Sequence, residues 1–379
     1  MSVMQRWWGT LGFVVLALGM LSGKAAAQGE SAVPFLLIAP NSRASGIGEA
    51  GTGSVDDASA IYWNPAALAF QTGSEVSLTH ANWLPAFQQS DLFYDYLNYK
   101  QEVEDFGGVF GASITYLSLG KFIRTGSDSP TPIGEFKAYE FAATIGYATK
   151  VYDDFALGLN LRLIHSSLSP IGTEGEQGAG VATTMSVDIA GMYKPQVLDI
   201  PLIGDIGKSF TAGFNLSNLG PRVTYIDAAQ ADPLPTNLRI GFGYKIFEDE
   251  YNSLQYTLDF SRLLIRRYPV DTTNGVETVR QPDPFYKAIF TAWGDNGLRK
   301  VVTSTGLEYW YGHPKLIALR IGYFYEDPSF GNRKFLTFGA GIRYDIYGFD
   351  FSYISAEQNH PLSDTIRFSL LIGWGGTGT

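Results

Sequence analysis

The segment TIRFSLLIGW, residues 365–374, alternates between apolar side chains and polar or small ones. One face carries Ile366, Phe368, Leu370, Ile372 and Trp374, and the other carries Thr365, Arg367, Ser369 and Gly373, with Leu371 as the exception. Successive side chains of a β-strand point to opposite faces, so the segment predicts a strand with one apolar and one polar face. In a soluble sandwich such a strand covers half a core, whereas in an outer-membrane barrel it forms part of the wall.

Segments with the same alternation recur along the chain. They lie at 138–148, 155–163, 238–244, 254–261, 317–325, 336–344 and 349–353. Repeated alternation between turn signals predicts an all-β antiparallel fold. Tyr and Trp gather near the ends of these segments, as in the interfacial girdles of a membrane barrel.

The polar faces of these segments carry unlike charges among glycines. The charged residues are Glu140, Arg162, Arg239, Asp259, Arg320, Arg343, Asp350 and Arg367. Mixed charges suit a narrow lumen crossed by ion pairs better than a solvated sheet face, so we predict a membrane barrel with these side chains in its lumen. A soluble antiparallel sandwich with a polar outer face is the alternative.

The composition and the N-terminus agree with a secreted barrel. Of 379 residues, 14% are aromatic and 17% are charged, and the lack of cysteine excludes disulfides and thiolate metal sites. Arg6, an apolar run at 11–21 and the small residues 25–27 predict a signal peptide over residues 1–27. Its removal takes away Arg6 and Lys24 and no acidic residue, so the net charge of −10 becomes −12, which argues against nucleic-acid binding. No other apolar run approaches the roughly 18 residues of a membrane-spanning helix.

The lengths of the connections predict the orientation and the number of strands. Long connections at 119–135, 169–179, 219–235, 266–300, 326–333 and 357–363 are predicted to lie outside the cell. Tight turns near 153–154, 248–250, 312–313 and Gly348, a longer connection at 195–207 and both termini are predicted in the periplasm. For an even number of strands, residues 74–106 must hold two: one that runs from Glu75 toward the outside and one that runs back from Asp91. The barrel over residues 74–379 then has about 14 strands.

Residues 28–73 are predicted to form a hatch, or plug, inside this barrel. Residues 33–73 do not alternate, and four glycines between positions 46 and 53 would let the backbone approach the lumen wall closely. The GxGxxG spacing at 46–51 has no βαβ unit around it, so we do not interpret it as a nucleotide site.

The hatch contains a recognisable motif. Asp56 and Asp57 mark a helix start, and Asn64-Pro65 follows within the stretch 56–66. This acidic-then-Asn-Pro-Ala stretch resembles the N-terminal hatch of FadL-type outer-membrane proteins. The resemblance implies a FadL-like barrel and assigns Asp56, Asp57, Asn64 and Pro65 to its hatch.

Segments near both ends of the mature chain resemble the PorV family. They are 34–40, 43–49, 356–362 and 365–368. A sister family, PorQ, shares the barrel. The resemblance implies a component of the type IX secretion system that receives the C-terminal sorting domain of cargo at the translocon barrel and carries cargo to a surface sortase complex. It also implies the outer membrane of a Gram-negative, Bacteroidetes-type bacterium, in contact with lipid and lipopolysaccharide.

Apolar residues in the predicted outer loops are candidates for contacts with these partners. They are Leu84, Phe87, Tyr225, Ile226, Tyr268, Phe285, Tyr286 and Phe330. Packing of the loops over the barrel mouth is the alternative for each of them.

Two other functions stay open, a FadL-like transporter of hydrophobic small molecules and a purely structural barrel. A transporter needs an apolar lumen, and the inward residues are mostly charged, small or hydroxylated, with Phe324 and Leu371 as exceptions.

No enzyme, metal site or cofactor is predicted. The four histidines, at positions 80, 165, 313 and 360, are far apart and have no paired spacing for a metal, and His360 before a proline is interpreted as a turn residue. Neither a G-x-S-x-G elbow nor an HExxH helix occurs. The lumen charges are interpreted as ion pairs and not as an acid–base site.

Overall fold

The computed structural model describes residues 31–87, 91–125, 131–170, 178–268, 271–273, 276–278, 280–294, 297–357 and 360–375, so the predicted signal peptide lies outside the described residues. The strands are β1 (Ser74–Asn82), β2 (Leu92–Val103), β3 (Gly108–Thr125), β4 (Pro132–Tyr152), β5 (Phe155–Ser169), β6 (Gly180–Tyr193), β7 (Asp199–Ile200), β8 (Gly204–Asp205), β9 (Phe210–Leu219), β10 (Asn237–Glu248), β11 (Asn252–Leu263), β12 (Asp271–Thr273), β13 (Val276–Thr278), β14 (Val302–Tyr311), β15 (Ile317–Tyr325), β16 (Lys334–Tyr344), β17 (Tyr347–Ala356) and β18 (Ile366–Trp374). Three short helices are α1 (Ser42–Ser45), α2 (Ala60–Trp63) and α3 (Phe285–Thr291). No helix in this part of the chain is long and apolar enough to cross a membrane.

Fourteen of these strands close into one antiparallel barrel. They follow the order of the chain around the wall, and β1 pairs with β18 to close it, from Ser74 opposite Trp374 to Ala81 opposite Arg367. The pairs β7–β8 and β12–β13 form separate two-stranded sheets. The predicted 14-stranded antiparallel barrel is therefore confirmed.

The two faces of the wall follow the alternation in the sequence. In β15, exposed and buried residues alternate along the whole strand, with Leu319 and Ile321 outside and Arg320 inside. In β18, Leu370 lies outside and Arg367 inside. A closed wall satisfies its backbone hydrogen bonds internally, and an apolar outer face suits contact with lipid.

The connections at one end of the barrel, which we call the mouth, are mostly longer than those at the other end, where the connection 194–209 that contains β7 and β8 is the exception. Two expectations need correction. The connection predicted at 119–135 is mostly a hairpin, because β3 continues to Thr125 and β4 begins at Pro132. The turn predicted near Gly348 lies at 345–346, where Asp345 takes a left-handed φ of 53°, and Gly348 already belongs to β17.

The two ends of the described chain lie at opposite ends of the barrel. At the short-turn end, Gly373 N donates to Ile346 O (2.8 Å) beside the end of β18. At the mouth, Ala32 N donates to Pro233 O (3.0 Å) in the β9–β10 connection. This differs from the expectation that both termini lie at the short-turn end, because the chain first runs through the lumen before β1 begins.

Residues 31–73, which we call the hatch segment, pass through the lumen and bond to inward-facing wall residues. Ser42 N donates to Ser369 Oγ (3.0 Å), and Gly48 N donates to Thr337 Oγ1 (2.8 Å). Asn160 on the far wall donates to Ile61 O (2.7 Å). The large apolar side chains of the segment are buried inside the barrel, among them Phe35, Ile61, Trp63 and Leu68.

The hatch segment touches the wall most closely where a glycine faces the lumen. A Cβ atom on Gly322 would collide with the backbone nitrogen of Gly48, whose own φ of 77° disfavours any side chain. We expect Gly322→Ala to displace the hatch segment at a cost of about 1–3 kcal/mol, because a paired wall strand cannot yield. Limited proteolysis of the inserted barrel should then cut within 46–53.

Gly373→Ala is the matched control for this variant. A Cβ there would have Ser74 O as its neighbour at 3.8 Å, an ordinary contact. The control should resist the protease as the wild type does. Equal resistance of the Gly322→Ala barrel would contradict the close contact between hatch segment and wall.

Candidate functional site at the mouth of the barrel

A row of ion pairs fastens the hatch segment to one side of the lumen. Glu308 on β14 accepts hydrogen bonds from Arg43 of the hatch segment (2.7 Å) and from Arg320 on β15 (2.8 Å). Asp350 on β17 accepts from Arg320 (2.8 Å) and from Arg343 (2.7 Å). Buried charges are tolerated when they are paired and hydrogen-bonded, so this row fixes the hatch segment in one position.

The four residues of the hatch motif hold the segment together. Asp56 and Asp57 both pair with Arg43, the latter at 3.1 Å. The side chain of Asn64 accepts from the backbone N–H two residues later (3.1 Å), at the start of the 3₁₀ turn that begins with Pro65. The motif therefore shapes the hatch segment locally and supplies two of the carboxylates around Arg43.

Two more inward-facing parts of the wall hold charged side chains by pairing or hydrogen bonding. Arg162 on β5 pairs with Asp188 on β6 (2.7 Å). Asp259 on β11 accepts from the backbone N–H groups of Gly51 (2.9 Å) and Thr52 (2.8 Å). The first pair links two neighbouring wall strands, and the contacts of Asp259 hold the middle of the hatch segment against β11, the neighbour of β14.

Three further inward-facing residues complete the predicted set of lumen charges. Glu140 accepts from a serine hydroxyl of β5 (3.0 Å). Arg239 lies 4.9 Å from the ring centre of Tyr62, and the nearest acidic group to Arg367 is Glu49 at 3.8 Å. All eight predicted charges thus lie on the inner side of the wall, and most contact the hatch segment or each other.

Beyond the hatch segment, a cavity of about 680 Å³ opens at the mouth. Its apolar lining includes Pro34, Leu37, Leu263, Val302 and Phe324, and its charged lining comprises Glu49, Arg239, Asp259, Glu326 and Arg333. Glu326 and Arg333 pair at 2.9 Å across the base of the β15–β16 connection. A cavity with apolar and charged walls suits a polypeptide segment, which offers both kinds of group, better than a hydrocarbon.

The apolar loop residues predicted as partner contacts fall into two groups. Phe87, Ile226 and Tyr286 are exposed. Phe330 is buried beneath Arg299, whose guanidinium lies 5.6 Å from the ring centre. The remaining four, Leu84, Tyr225, Tyr268 and Phe285, are partly buried. Phe330 and these four residues are packed within the loops. The three exposed residues are therefore the better candidates for contacts with a partner protein.

Sequence reasoning missed an exposed apolar surface in the β11–β14 connection. Phe290 and Leu298 are 77% and 79% exposed and lie near exposed Tyr286 and Trp293. The signal was present, because positions 286, 290 and 293 have the spacing of one helix face. We call Tyr286, Phe290, Trp293 and Leu298 the loop ridge.

The loop ridge is fastened to the rim of the barrel. Arg262, on the outer side of β11, donates to a backbone carbonyl of the loop (2.7 Å) and lies 4.6 Å from the ring centre of Trp293. Asp283 accepts from Tyr268 (3.0 Å) and Thr291 (2.8 Å). Although burial by itself would raise the pKa of Asp283, these hydrogen bonds and Lys287 hold that pKa below its ordinary value. The ridge therefore has a fixed place beside the mouth.

The histidines take part in local contacts. His360 Nδ1 accepts from Leu362 N (3.1 Å), which closes a turn. Within the described ranges, no group of three or more His, Asp or Glu side chains is arranged to hold a metal ion.

Known proteins share both the sequence pattern and the fold. The family model described as type IX secretion system protein PorV matches residues 24–270. No curated protein matches the chain. The toluene transporter TbuX of Ralstonia pickettii has a TM-score of 0.50 and 13% identity, over 89% of this chain and 98% of that one. The toluene transporter TodX of Pseudomonas putida has a TM-score of 0.50 and 12% identity, over 92% and 98%. At such identities these two structures show a shared barrel fold alone.

Proposed function

Because the chain belongs to the PorV family of type IX secretion system proteins, we propose that it receives the C-terminal sorting domain of cargo at the translocon and carries the cargo to the surface sortase complex. The family match carries this proposal, since it covers the hatch segment and every strand to β11. On this view the barrel is an adaptor embedded in the outer membrane, and it acts by binding other proteins at its surfaces.

The filled lumen supports a surface role over conduction. The hatch segment is bound to opposite sides of the wall, through Glu308 on β14 and through Asn160 on β5. Opening a path along the lumen would require several buried pairs to break together, and each is costly to break. A solute would therefore meet a plug that is bound to the wall on two sides.

The lengths of the connections support one orientation of the barrel in the membrane. Barrels of this class place long loops outside the cell and short turns in the periplasm. We therefore place the mouth, with its cavity and the loop ridge, at the cell surface. A sorting domain that has left the translocon would meet this end of the barrel.

The loop ridge and the mouth cavity are proposed as the receiving surface. Interfaces concentrate aromatic residues at their centre and polar residues at their rim. The ridge has such residues, because Tyr286 and Phe290 are exposed and the cations Lys287 and Arg299 belong to the same connection. Its anchors at Arg262 and Asp283 keep it ordered before binding. A preformed surface loses less entropy on binding than a mobile loop does.

A FadL-like transporter of hydrophobic small molecules is the second candidate. One observation favours it, because Phe324 faces inward and lines the mouth cavity together with Leu37 and Val302. Leu371, the other exception in the sequence, is buried but does not line this cavity. The same cavity holds five charged side chains and ends on the hatch segment, which suits a hydrocarbon poorly.

Cross-linking in the native outer membrane tests the proposal. We expect an affinity-tagged chain to bring down a large outer-membrane barrel and proteins that end in a sorting domain, identified by mass spectrometry. A tagged barrel of another family, expressed at the same level, should bring down neither. Recovery of bound lipid or hydrocarbon without protein partners would contradict the adaptor and favour the transporter.

A further inference from the structure

Lysines line the inner opening of the barrel at the short-turn end. We call Lys150, Lys194 and Lys315 the lysine arc. The ammonium nitrogens of Lys150, near the end of β4, and Lys194, directly after β6, lie 5.2 Å and 5.1 Å from the ring centre of Phe70 in the hatch segment. Lys315, in the β14–β15 turn, lies 5.7 Å from the ring centre of Trp310, which is buried inside the wall. All three lysines therefore point toward the lumen and not toward lipid.

The lysine arc has no carboxylate partners of its own. Within the described ranges, no salt bridge joins any of the three lysines to an aspartate or a glutamate. Two carboxylates at this end are engaged elsewhere, Asp56 with Arg43 of the hatch segment and Glu248 with Lys245 of β10. The arc therefore presents cations that the described part of the chain does not pair.

The cations of the arc lie close enough to repel one another. Lys194 belongs to the connection after β6, and burial lowers its pKa; repulsion from Lys150, Lys245 and Lys315 lowers it further, against the attraction of Asp56. Like charges in a cleft with walls of low dielectric constant create a positive potential that attracts anions. This potential contrasts with the net charge of −10 on the whole chain. An anionic ligand at the opening would relieve the repulsion.

The layout of the arc suits an extended acidic segment better than one small anion. β4 and β14 are six places apart in the order of strands around the barrel, which corresponds to about 29 Å of wall. A single phosphate contacts one or two such cations, whereas successive carboxylates of an extended polypeptide can meet all three. The turns at this end carry Asp153, Asp154, Asp249 and Glu250, which repel the same segment and confine it to the opening.

We propose that the lysine arc binds an acidic polypeptide segment of a partner protein at the short-turn end of the barrel. Charge complementarity sets the chemistry of the segment, which offers several carboxylates along an extended chain. In the orientation proposed above this end faces the periplasm, so the partner is a periplasmic protein. The segment also meets the end of the hatch segment, because Phe70 is packed against two lysines of the arc. This inference goes beyond the proposed function, which places cargo at the mouth, and does not depend on it.

A fluorescent peptide of ten glutamates tests the arc on the whole barrel in nanodiscs of zwitterionic lipid, which leave both ends accessible. We expect fluorescence anisotropy to show that the wild type binds this peptide at least tenfold more tightly than a peptide of ten glutamines. The affinity should fall as salt rises, because salt screens the attraction between the exposed charges. The triple variant Lys150→Gln, Lys194→Gln and Lys315→Gln should bind the glutamate peptide at least tenfold more weakly than the wild type.

The matched control removes the same number of charges at the mouth end. Lys121, Lys137 and Lys334 lie on the mouth-side parts of β3, β4 and β16, and their replacement with glutamine should leave binding unchanged. Replacing the lysine arc with arginine keeps the charges and should keep the affinity within threefold of the wild type. A loss of binding that either of these variants shares, or equal affinity of the wild type and the glutamine variant of the arc, would overturn the arc as the site.

Folding and ligand size are checked separately. If the glutamine variant of the arc loses its folded band on a gel, Lys315→Gln alone decides, because it leaves both lysine contacts to Phe70 in place. We expect it to weaken binding at least threefold, and unchanged affinity would speak against the proposal. Binding of inorganic phosphate to the wild type without binding of the glutamate peptide would overturn a polypeptide as the ligand.

Discussion

Replacing Tyr286, Phe290 and Leu298 with serine is expected to abolish cargo attachment at the cell surface while the barrel still inserts. Aromatic residues at the centre of an interface commonly cost about 2–4 kcal/mol each when truncated, so the triple variant should bind cargo at least 100-fold more weakly. Cargo exposed to protease on intact cells is the measurement. Heat-modifiable mobility of the barrel on a gel reports insertion.

The matched control removes exposed apolar side chains from the opposite end of the barrel. Leu202 and Ile203 lie at the tip of the β7–β8 turn and are both exposed. Replacing both with serine should leave cargo attachment unchanged. Normal attachment in the triple variant would exclude the loop ridge as the receiving surface.

Substitution tests the loop ridge more sharply than a deletion of 282–294. The deletion would also remove Asp283, which bonds to Tyr268, and Trp293, which covers Arg262 on the outer side of the wall. An uncovered arginine at the rim would disturb the barrel for a reason unrelated to cargo. The three serine substitutions keep both anchors in place.

The wall was predictable from the sequence because its physical cause is local. Side chains along a strand alternate between lipid and lumen. The positions of Leu370 and Ser369 in the sequence therefore predict on which face of the wall each side chain lies. Closure adds that strands come in pairs, which predicts two strands, β1 and β2, within residues 74–106. Neither inference needs a contact between distant parts of the chain.

The hairpin beyond the wall was missed for a related reason. The polarity of the side chains still alternates at Lys121 and Ile123, but Gly120 and Pro132 are residues typical of turns and predict a loop. The thickness of the membrane sets a minimum length for a strand but no maximum, so it does not predict where β3 ends. The end of the neighbouring strand at Leu92 decides where β3 leaves the barrel, and that is a property of the ladder. A single segment does not contain this information.

The site was less predictable because its parts come from distant positions. Arg43 and Glu308 are separated by 265 residues, and the sequence around either residue does not predict that the two pair. Similarly, Phe330 and Phe290 are both aromatic loop residues, but Arg299 and Lys300 lie over one ring and leave the other exposed. Exposure in a loop depends on what covers it, which the fold alone decides.

Glu308→Ala is expected to cost about 3–5 kcal/mol and to free the hatch segment, which is the largest effect we predict on stability. The variant would remove the one carboxylate that contacts both Arg43 and Arg320, and breaking a buried ion pair by removing one partner is costly. Arg320 keeps Asp350, whereas Arg43 keeps only the carboxylates of its own hatch segment. The hatch side of the network should therefore detach first.

The order of events in this variant separates the hatch from the wall. Protease should cut the hatch segment at a temperature at which the barrel still migrates as a folded band, because the wall ladders do not pass through Glu308's side chain. Adding Arg43→Met should loosen the hatch segment further, because Asp56 and Asp57 then lose the cation that pairs with both of them. Glu308→Gln, which keeps hydrogen-bond acceptance without the charge, should fall between the wild type and Glu308→Ala. If hatch and wall instead melt together in all three variants, the ion pairs do not hold the hatch segment as a separate unit.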